Sequence, residues 1–357
     1  MSANTKGVIN GSTGIMDGTV IGPYEYAGSL KAFGFKADPE ILTHFLKAYL
    51  QDQVDGCGYK FSLQRPEAPI VYMLITDALM QGGSAKDGET LGIYRNRSCQ
   101  FHIPVRLEDE FGHPERGSLQ VFSYGSSMQN ALTSTEVRGP YMSHCRMLVR
   151  AEAEDLDRDA SPQTLFELSP QVITPDLSLQ NACLLSLEKA VPPENVTPAE
   201  SAGHSAWRAF EPETVFSLKQ FQHEKWPGSA CYQALIKTEY AIGKPLAAAA
   251  HEEKVEALLK ADWHEGDPKL ASLCLKIYRY EFHPIVSALG LEVGQSSVCL
   301  EENGKVACDT LHPVSYLSLG STMDKSRMPV TEKLGTTLCY RWRVTEDESQ
   351  GWERPSD

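Results

Sequence analysis

Short β-branched and aromatic runs recur along most of this chain with few helical stretches between them, and that rhythm constrains the fold more than any other feature. Ile70-Val71-Tyr72-Met73-Leu74-Ile75, Gln100 to Val105, Ser118 to Tyr124, Cys145 to Glu152, Val215 to Lys219, Ala230 to Lys237 and Leu270 to Tyr280 each read as a strand. Cys299 to Tyr340 reads as several short strands, with Glu302-Asn303-Gly304 as a turn between two of them. Two stretches read as helices. The first has Asp38 as N-cap, Pro39 at the first helical position and an apolar stripe of Ile41, Leu42, Phe45, Leu46, Tyr49 and Leu50, running to Gln51. The second opens at Pro245 and runs through Ala, Leu, Glu and Lys to about Asp262. A doubly wound sheet needs a helix after each strand. That alternation is missing, so the pattern predicts an α+β fold built on a large, mainly antiparallel sheet or barrel with a few outer helices.

Charge and composition exclude several classes of function. The 357 residues carry a net charge of -14 with a pI near 5.2, and no basic cluster offers a footprint for a phosphate backbone or an anionic lipid surface. No run of about 18 apolar residues exists, and Met1 to Gly18 lacks the apolar centre of a signal peptide, so the expectation is a cytoplasmic protein with no nucleic-acid or membrane partner. The nine cysteines are odd in number, spread evenly and free of Cys-x-x-Cys pairs, which reads as reduced, packed thiols. Asp155, Asp157 and Asp159 have calcium-loop spacing, but Ala160 and Phe166 stand where the loop needs Gly and Glu, so no metal site is expected.

Residues 1–22 are rich in Gly, Ser, Thr and Asn and read as a flexible arm. Residues 23–345 read as one domain, with insertions near 153–214 and 240–268; the proline-rich part, 188–214, marks a surface excursion. Residues 346–357 form an acidic tail expected to be disordered, and there is no internal repeat.

The stretch from Tyr94 to Arg150 carries a resemblance. Tyr94-Arg95-Asn96-Arg97, the strand Gln100-Phe101-His102-Ile103-Pro104-Val105, and Glu136-Val137-Arg138-Gly139-Pro140-Tyr141-Met142 follow one another as a tyrosine-led loop, an Ile-Pro-Val strand and a Glu-x-x-Gly-x-Pro-Lys turn do in the acetoacetate decarboxylase-like superfamily. Lys36-Ala37-Asp38 is similar to its Arg-Thr-Asp, Phe216-Ser217-Leu218-Lys219 to its Tyr-x-Leu-Lys strand, and His283-Pro284-Ile285 to its His-Pro-Leu segment, so the resemblance covers Leu30 to about Val293. It implies a cone-like β-barrel and a homo-oligomer. The family's lysine attacks a ketone and forms an iminium that accepts electrons as carbon dioxide leaves. Here Met142 stands at the matched position, and no lysine occurs between Lys86 and Lys189. Asn96 and Leu74 match the family's carboxylates, and Lys36 its arginine.

The resemblance therefore implies a pocket without imine chemistry. Its catalytic candidates are Glu136, Lys36, Arg97 and His144, and its substrate-binding candidates are Tyr94, Asn96, Tyr141 and Met142. Such a set holds an oxyanion through Lys36 or Arg97 and moves a proton through Glu136 or His144. The bland readings stand beside it: Glu136 also fits a turn cap or a partner for Arg138 or Arg97, His144 a structural histidine, and Met142 a filler of vacated space. Because Arg95, Asn96 and Arg97 are consecutive, a strand there turns only one parity inward. Three functions remain open at this stage: a cofactor-independent biosynthetic lyase, cyclase or dehydratase acting on a carbonyl or β-keto compound; a decarboxylase using Lys219 or Lys237; or a non-catalytic small-ligand-binding protein.

Overall fold

The computed structural model describes residues 24–82, 93–134, 142–149, 163–173, 179–189, 214–223, 226–242, 259–265, 267–280, 283–301, 304–319, 328–332, 336–342, 351 and 353. The chain begins with strand β1 (Tyr24–Lys36), helix α1 (Pro39–Leu46) continued by a π turn (Lys47–Gln51), β2 (Lys60–Leu63), β3 (Ile70–Gly82), β4 (Ile93–Glu108) and β5 (Pro114–Gly125). Helix α2 (Met128–Thr133) leads to β6 (Ser143–Val149), β7 (Gln163–Ile173), β8 (Leu179–Asn181), β9 (Leu185–Lys189), β10 (Thr214–His223) and β11 (Trp226–Ile242). The remainder comprises β12 (Leu259–His264), α3 (Pro268–Ala271), β13 (Leu273–Tyr278), α4 (Ile285–Leu289), β14 (Gln295–Glu301), β15 (Gly304–Leu311), β16 (Ser315–Leu319), β17 (Met328–Glu332) and β18 (Thr336–Trp342).

The predicted α+β class holds: the described residues are mostly strand, and their pairings are antiparallel except for two-residue parallel contacts of β5 with β10 and with β6. Pairings run around a ring: β1 to β3, β3 to β4, β4 to β5, β5 to β10, β10 to β11, β11 to β17, and β17 back to β1. Two seams are narrow. Val215↔Ser118 and Phe216↔Leu119 make one, and Tyr240↔Glu332 to Ile242↔Val330 the other, so the barrel is loose.

Helix α1 begins where the sequence says it should. The Asp38 carboxylate accepts from the backbone N–H groups of Glu40 and Ile41 at 2.9 and 3.0 Å, and Pro39 occupies the first turn. Eight residues would not hold a helix alone, so its stability comes from packing. Leu42, Leu46 and Leu50 are buried in the core, each contributing about 2 kcal/mol by area removed from water. Gly290, with φ +61°, ends α4 against α1, where a Cβ would lie 2.8 Å from Ile41 Cβ.

Two expectations need correction. Residues 259–262, expected at the end of a helix from Pro245, belong to strand β12, whose pairing with β16 outweighs local propensity; the rest of that segment, 243–258, lies outside the described residues. Within residues 346–357, Glu353 exchanges two backbone hydrogen bonds with Tyr340. The strand expected from Leu270 starts at Leu273, because Asp267 caps a turn of helix over Pro268–Ala271. The arm over 1–22 and the acidic loop at 152–160 lie outside the described residues.

Strand parity gives the ring an outer and an inner face. Phe33, Phe35, Met73, Ile75, Cys99, Phe101, Ile103 and Val105 join the core together with α1 and with Leu168, Leu185 and Leu275 from β7, β9 and β13. Those last elements are not in the ring, so this face is the outer one. The alternate residues, including Ala32, Leu74, Ala78, Asn96, Ser98 and His102, are turned into the ring, and they too are buried.

Candidate functional site

Strand β4 divides its side chains sharply by parity. Arg95, Arg97, Cys99, Phe101, Ile103 and Val105 face outward, while Asn96, Ser98, Gln100 and His102 face inward. The inner row consists of hydrogen-bonding groups, and Asn96, Ser98 and His102 are 3%, 5% and 2% exposed. Buried polar groups need partners, so where each one's hydrogen bonds go is a question with a definite answer.

At one end of the row lies Met142. Gly125 at the end of β5 pairs with Ser98, and a Cβ on Gly125 would sit 2.6 Å from Met142 Sδ, so only glycine leaves room for the thioether. The Asn130 amide, held on α2, donates to that sulfur at 3.3 Å. Ser127 caps α2 by accepting from the Asn130 backbone N–H, which fixes where the amide stands. One inward position beyond Ser98, Asn96 Oδ1 is buried with no hydrogen-bond partner.

Further along the same face His102 is enclosed. Its Nδ1 is 2.9 Å from Ser118 Oγ and its Nε2 is 3.1 Å from Gln100 Oε1. An amide oxygen only accepts, so Nε2 carries the proton and Nδ1 accepts from the Ser118 hydroxyl. Burial pushes the imidazole pKa down to about 3, leaving the ring neutral. A register shift between Gln100 and His102 places an extra residue on β5, which turns both Gln120 and Ser123 to this face, where the Gln120 amide donates to Ser123 Oγ at 2.9 Å.

The candidates taken from the sequence do not all meet here. Asn96, Met142 and Leu74 share the inner face. Arg97 faces outward: its Nε lies 3.4 Å from Asp77 Oδ2 and its Nη1 donates to the Met147 carbonyl, while Arg95 makes two bonds to the same carboxylate at 2.7 and 2.5 Å. Lys36 keeps inward parity but pairs with Ile70, whereas Asn96 pairs with Ala78, eight residues away on β3. At about 3.4 Å per residue that is roughly 27 Å. There the Lys36 ammonium bonds Glu265 at 2.5 Å, and that hydrogen bond raises its pKa against the opposing effect of burial. His144 is half-buried beside Gly125, with the alternate parity to Cys145 and Met147 in the core. Glu136 and Tyr141 lie outside the described residues, as does the side chain of Tyr94.

Behind this sheet Tyr124 links the last motif to the barrel, its hydroxyl 3.1 Å from His283 Nδ1. Burial raises the pKa values of Tyr124 and Cys99, takes Cys145 up to about 12, and lowers that of His283. Thiols held protonated in this way are packing groups, and no disulfide joins any of the described cysteines.

His102, Gln100, Ser118, Gln120, Ser123, Asn130 and Asp77 were not singled out from the sequence. The alternation over residues 94–105 is the signal that finds the first two, since it marks a strand with one polar face; Ser118, Gln120 and Ser123 need the bulge, which no local pattern reveals.

No family profile matches the chain, and no curated protein does. Among solved structures the chain is similar to an acetoacetate decarboxylase from Legionella pneumophila, at 14% identity and a TM-score of 0.41, with 84% of this chain and 86% of that one covered. It is also similar to the enduracididine biosynthesis enzyme MppR, at 12% identity and a TM-score of 0.43 over 89% and 88% of the two chains. An acetoacetate decarboxylase-like enzyme from Sphingomonas wittichii matches at 10% identity and a TM-score of 0.40 over 85% and 91%.

Proposed function

We propose that this chain is a cofactor-independent biosynthetic enzyme that performs a lyase, cyclase or dehydratase step on a carbonyl or β-keto compound without an imine intermediate. The observation that supports this most is Met142: the position matched to the superfamily's lysine holds a thioether, 3% exposed, against Gly125 and the Asn130 amide. A thioether cannot condense with a ketone. What the inner face offers instead is hydrogen-bond donors and acceptors, which hold and polarise a carbonyl. Glu136 is the proposed proton carrier, Asn96, Met142, Tyr94 and Tyr141 the proposed substrate contacts, and His144, beside Gly125, a second acid-base candidate. The roles first given to Lys36 and Arg97 pass to the ion pairs that hold them.

The decarboxylase alternative needs an amine of lowered pKa. At Lys237 burial works in that direction, but Glu115 and Glu239 outweigh it and the pKa is raised. Lys219 has inward parity and lies over the Phe221 ring, 4.9 Å from its centroid, so it is the remaining candidate. A cytoplasmic homo-oligomer is proposed with the enzyme, and light scattering at micromolar concentration checks the assembly. No helix of the described residues is long and apolar enough to cross a membrane.

Borohydride reduction in the presence of acetoacetate, followed by peptide mass spectrometry, tests the absence of an imine. The expected result is no adduct between residues 87 and 188; an adduct there refutes the reading, and one on Lys219 moves the assignment to the alternative. Glu136→Gln should lower turnover about 100-fold with folding intact. A folded variant with unchanged turnover removes Glu136 from the mechanism, and a purified chain that turns over no carbonyl substrate leaves the ligand-binding reading.

A further inference from the structure

Outside the ring, six strands form a second antiparallel sheet in the order β6, β7, β9, β13, β15, β14. Its two ends differ. At one end β6 joins β5 of the ring through Tyr124↔Ser143 and Gly125↔His144. At the other, β14 pairs with β15 along one edge, from Gln295↔Thr310 to Glu301↔Gly304 without a register shift, and no described strand pairs with its second edge. Alternate N–H and C=O groups along that second edge are left for water or for another strand.

Free edges are usually blunted by a lysine, a proline, a bulge or a very short strand. β14 has none of these. It runs Gln295-Ser296-Ser297-Val298-Cys299-Leu300-Glu301, seven residues without a bulge and uncharged up to the last position. Gln295, Ser296, Ser297 and Val298 are exposed, Val298 at 65%. The strand is also held in place from behind. Asp309 of β15, fully buried, accepts from Ser296 Oγ at 2.8 Å and from two nitrogens of Arg279 at 2.6 Å each, so the edge is preformed and little ordering is needed for a second strand to dock on it.

Charge decides what fits. The net charge of -14 makes two copies repel at long range, and the stretch Gln295 to Leu300 adds no local charge to that repulsion. An uncharged edge has nothing with which to select a charged partner strand, and the strand it does match is its own. A two-fold axis at Val298 sets Ser297 opposite Cys299, Ser296 opposite Leu300 and Gln295 opposite Glu301, the one register in which every residue of the strand pairs. It keeps the two Glu301 positions at opposite ends of the ladder, whereas a parallel pairing would set like charges side by side.

We infer that β14 is a dimer interface: two copies of this chain pair antiparallel through Gln295–Glu301 and continue the second sheet from one copy into the other. The inference rests on the homo-oligomer proposed above and names its contact.

Light scattering of the full-length chain over a dilution series should give an even number of copies and a dissociation constant for the pairing. Val298→Lys sets two ammonium groups opposite each other across the axis and should weaken that pairing at least about tenfold. Should this variant fail to fold, Ser297→Lys, at the neighbouring exposed position, serves instead. A second measurement reads the register. In a Cys299→Ser background, Val298→Cys places two thiols opposite each other with Cα atoms about 4.5 to 5.5 Å apart, within the span of a disulfide, so oxidation by diamide should link copy to copy at position 298. A folded Val298→Lys chain that assembles as before, an odd number of copies, or an oligomer that forms no link at position 298 overturns the interface and leaves the oligomer standing. A natural chain that stays monomeric overturns both and leaves the edge to a strand of another protein.

Discussion

Nδ1 of His102 lies 2.9 Å from Oγ of Ser118, inside the ring and cut off from solvent, so the imidazole is a hydrogen-bonded neutral group at neutral pH. Its pKa is held at about 3 in the fold, against an ordinary value of 6.5. Below pH 6.5 the unfolded chain takes up a proton that the native chain refuses, so stability is complete above that pH and is lost progressively as pH falls toward 3. The full effect is on the order of 5 kcal/mol. His283, also lowered by burial, acts in the same direction. Urea unfolding at pH 7 and pH 4.5 should therefore show a steeper acid loss for the natural chain than for His102→Asn; equal slopes would mean that His102 is not enclosed as described.

The Asp77 carboxylate, 4% exposed, is shared by Arg95 and Arg97 on the outer face. Removing its charge leaves two guanidinium groups without their counter-charge, and because those side chains are 54% and 26% exposed the cost is about 1 to 3 kcal/mol. Asp77→Asn should lower the urea midpoint accordingly. Arg97→Ala should also lower it, by about 1 to 2 kcal/mol since Arg97 is partly exposed, without changing turnover of a carbonyl substrate. Selective loss of turnover in a fully stable Arg97→Ala protein would return Arg97 to the site.

The features that could be read in advance were the local ones. Asp38-Pro39-Glu40 forecasts α1 because the cap, the proline and the apolar stripe lie within a few residues of one another, and the β-branched runs forecast β3, β4 and β5 because each carries its own burial pattern. The ring could not be read in the same way. One of its seams joins Ser118 to Val215, nearly a hundred residues apart in the chain, and no local preference encodes that pairing. Register decided the site as well. The same resemblance that set Lys36 beside Asn96 in a common pocket is silent on the eight strand positions between them, and the parity that turns only one of Asn96 and Arg97 inward does not by itself say which. The polar face of β4 was visible as an alternation, yet by itself such a face reads as solvent-facing until the ring covers it.

Gly125 and Met142 make a contact that admits no extra atom. A methyl on Gly125 would sit 2.6 Å from the sulfur, closer than real Cβ contacts come, so Gly125→Ala should destabilise the protein by about 1 to 3 kcal/mol through overpacking. Met142→Ala should cost about 2 to 4 kcal/mol by opening a cavity. The double variant should be more stable than the sum predicts, by 0.5 kcal/mol or more at an approximate level, because the new methyl occupies the vacated space. Simple additivity in a thermal or urea cycle would show that the two residues do not touch.

Met142→Lys places an amine where the sulfur is 3% exposed and where the described neighbours are the Asn130 amide, Gly125 and the Ser98 strand position, with no carboxylate among them. Desolvation without a counter-charge favours the neutral amine, so its folded pKa should fall below the ordinary value of about 10.4. A lowered lysine pKa makes the unfolded chain the better proton binder, so the variant should be most stable above pH 10.4 and lose stability as pH falls toward the folded pKa. Its deficit relative to Met142→Leu should therefore be larger at pH 7 than at pH 10. The same neutral amine is a nucleophile, and borohydride reduction with acetone should tag the peptide that contains position 142 in the variant and leave the natural chain untouched there. A deficit that does not change with pH would mean that the new side chain reaches solvent, and with it that the end of the inner face is open where the structure has it closed.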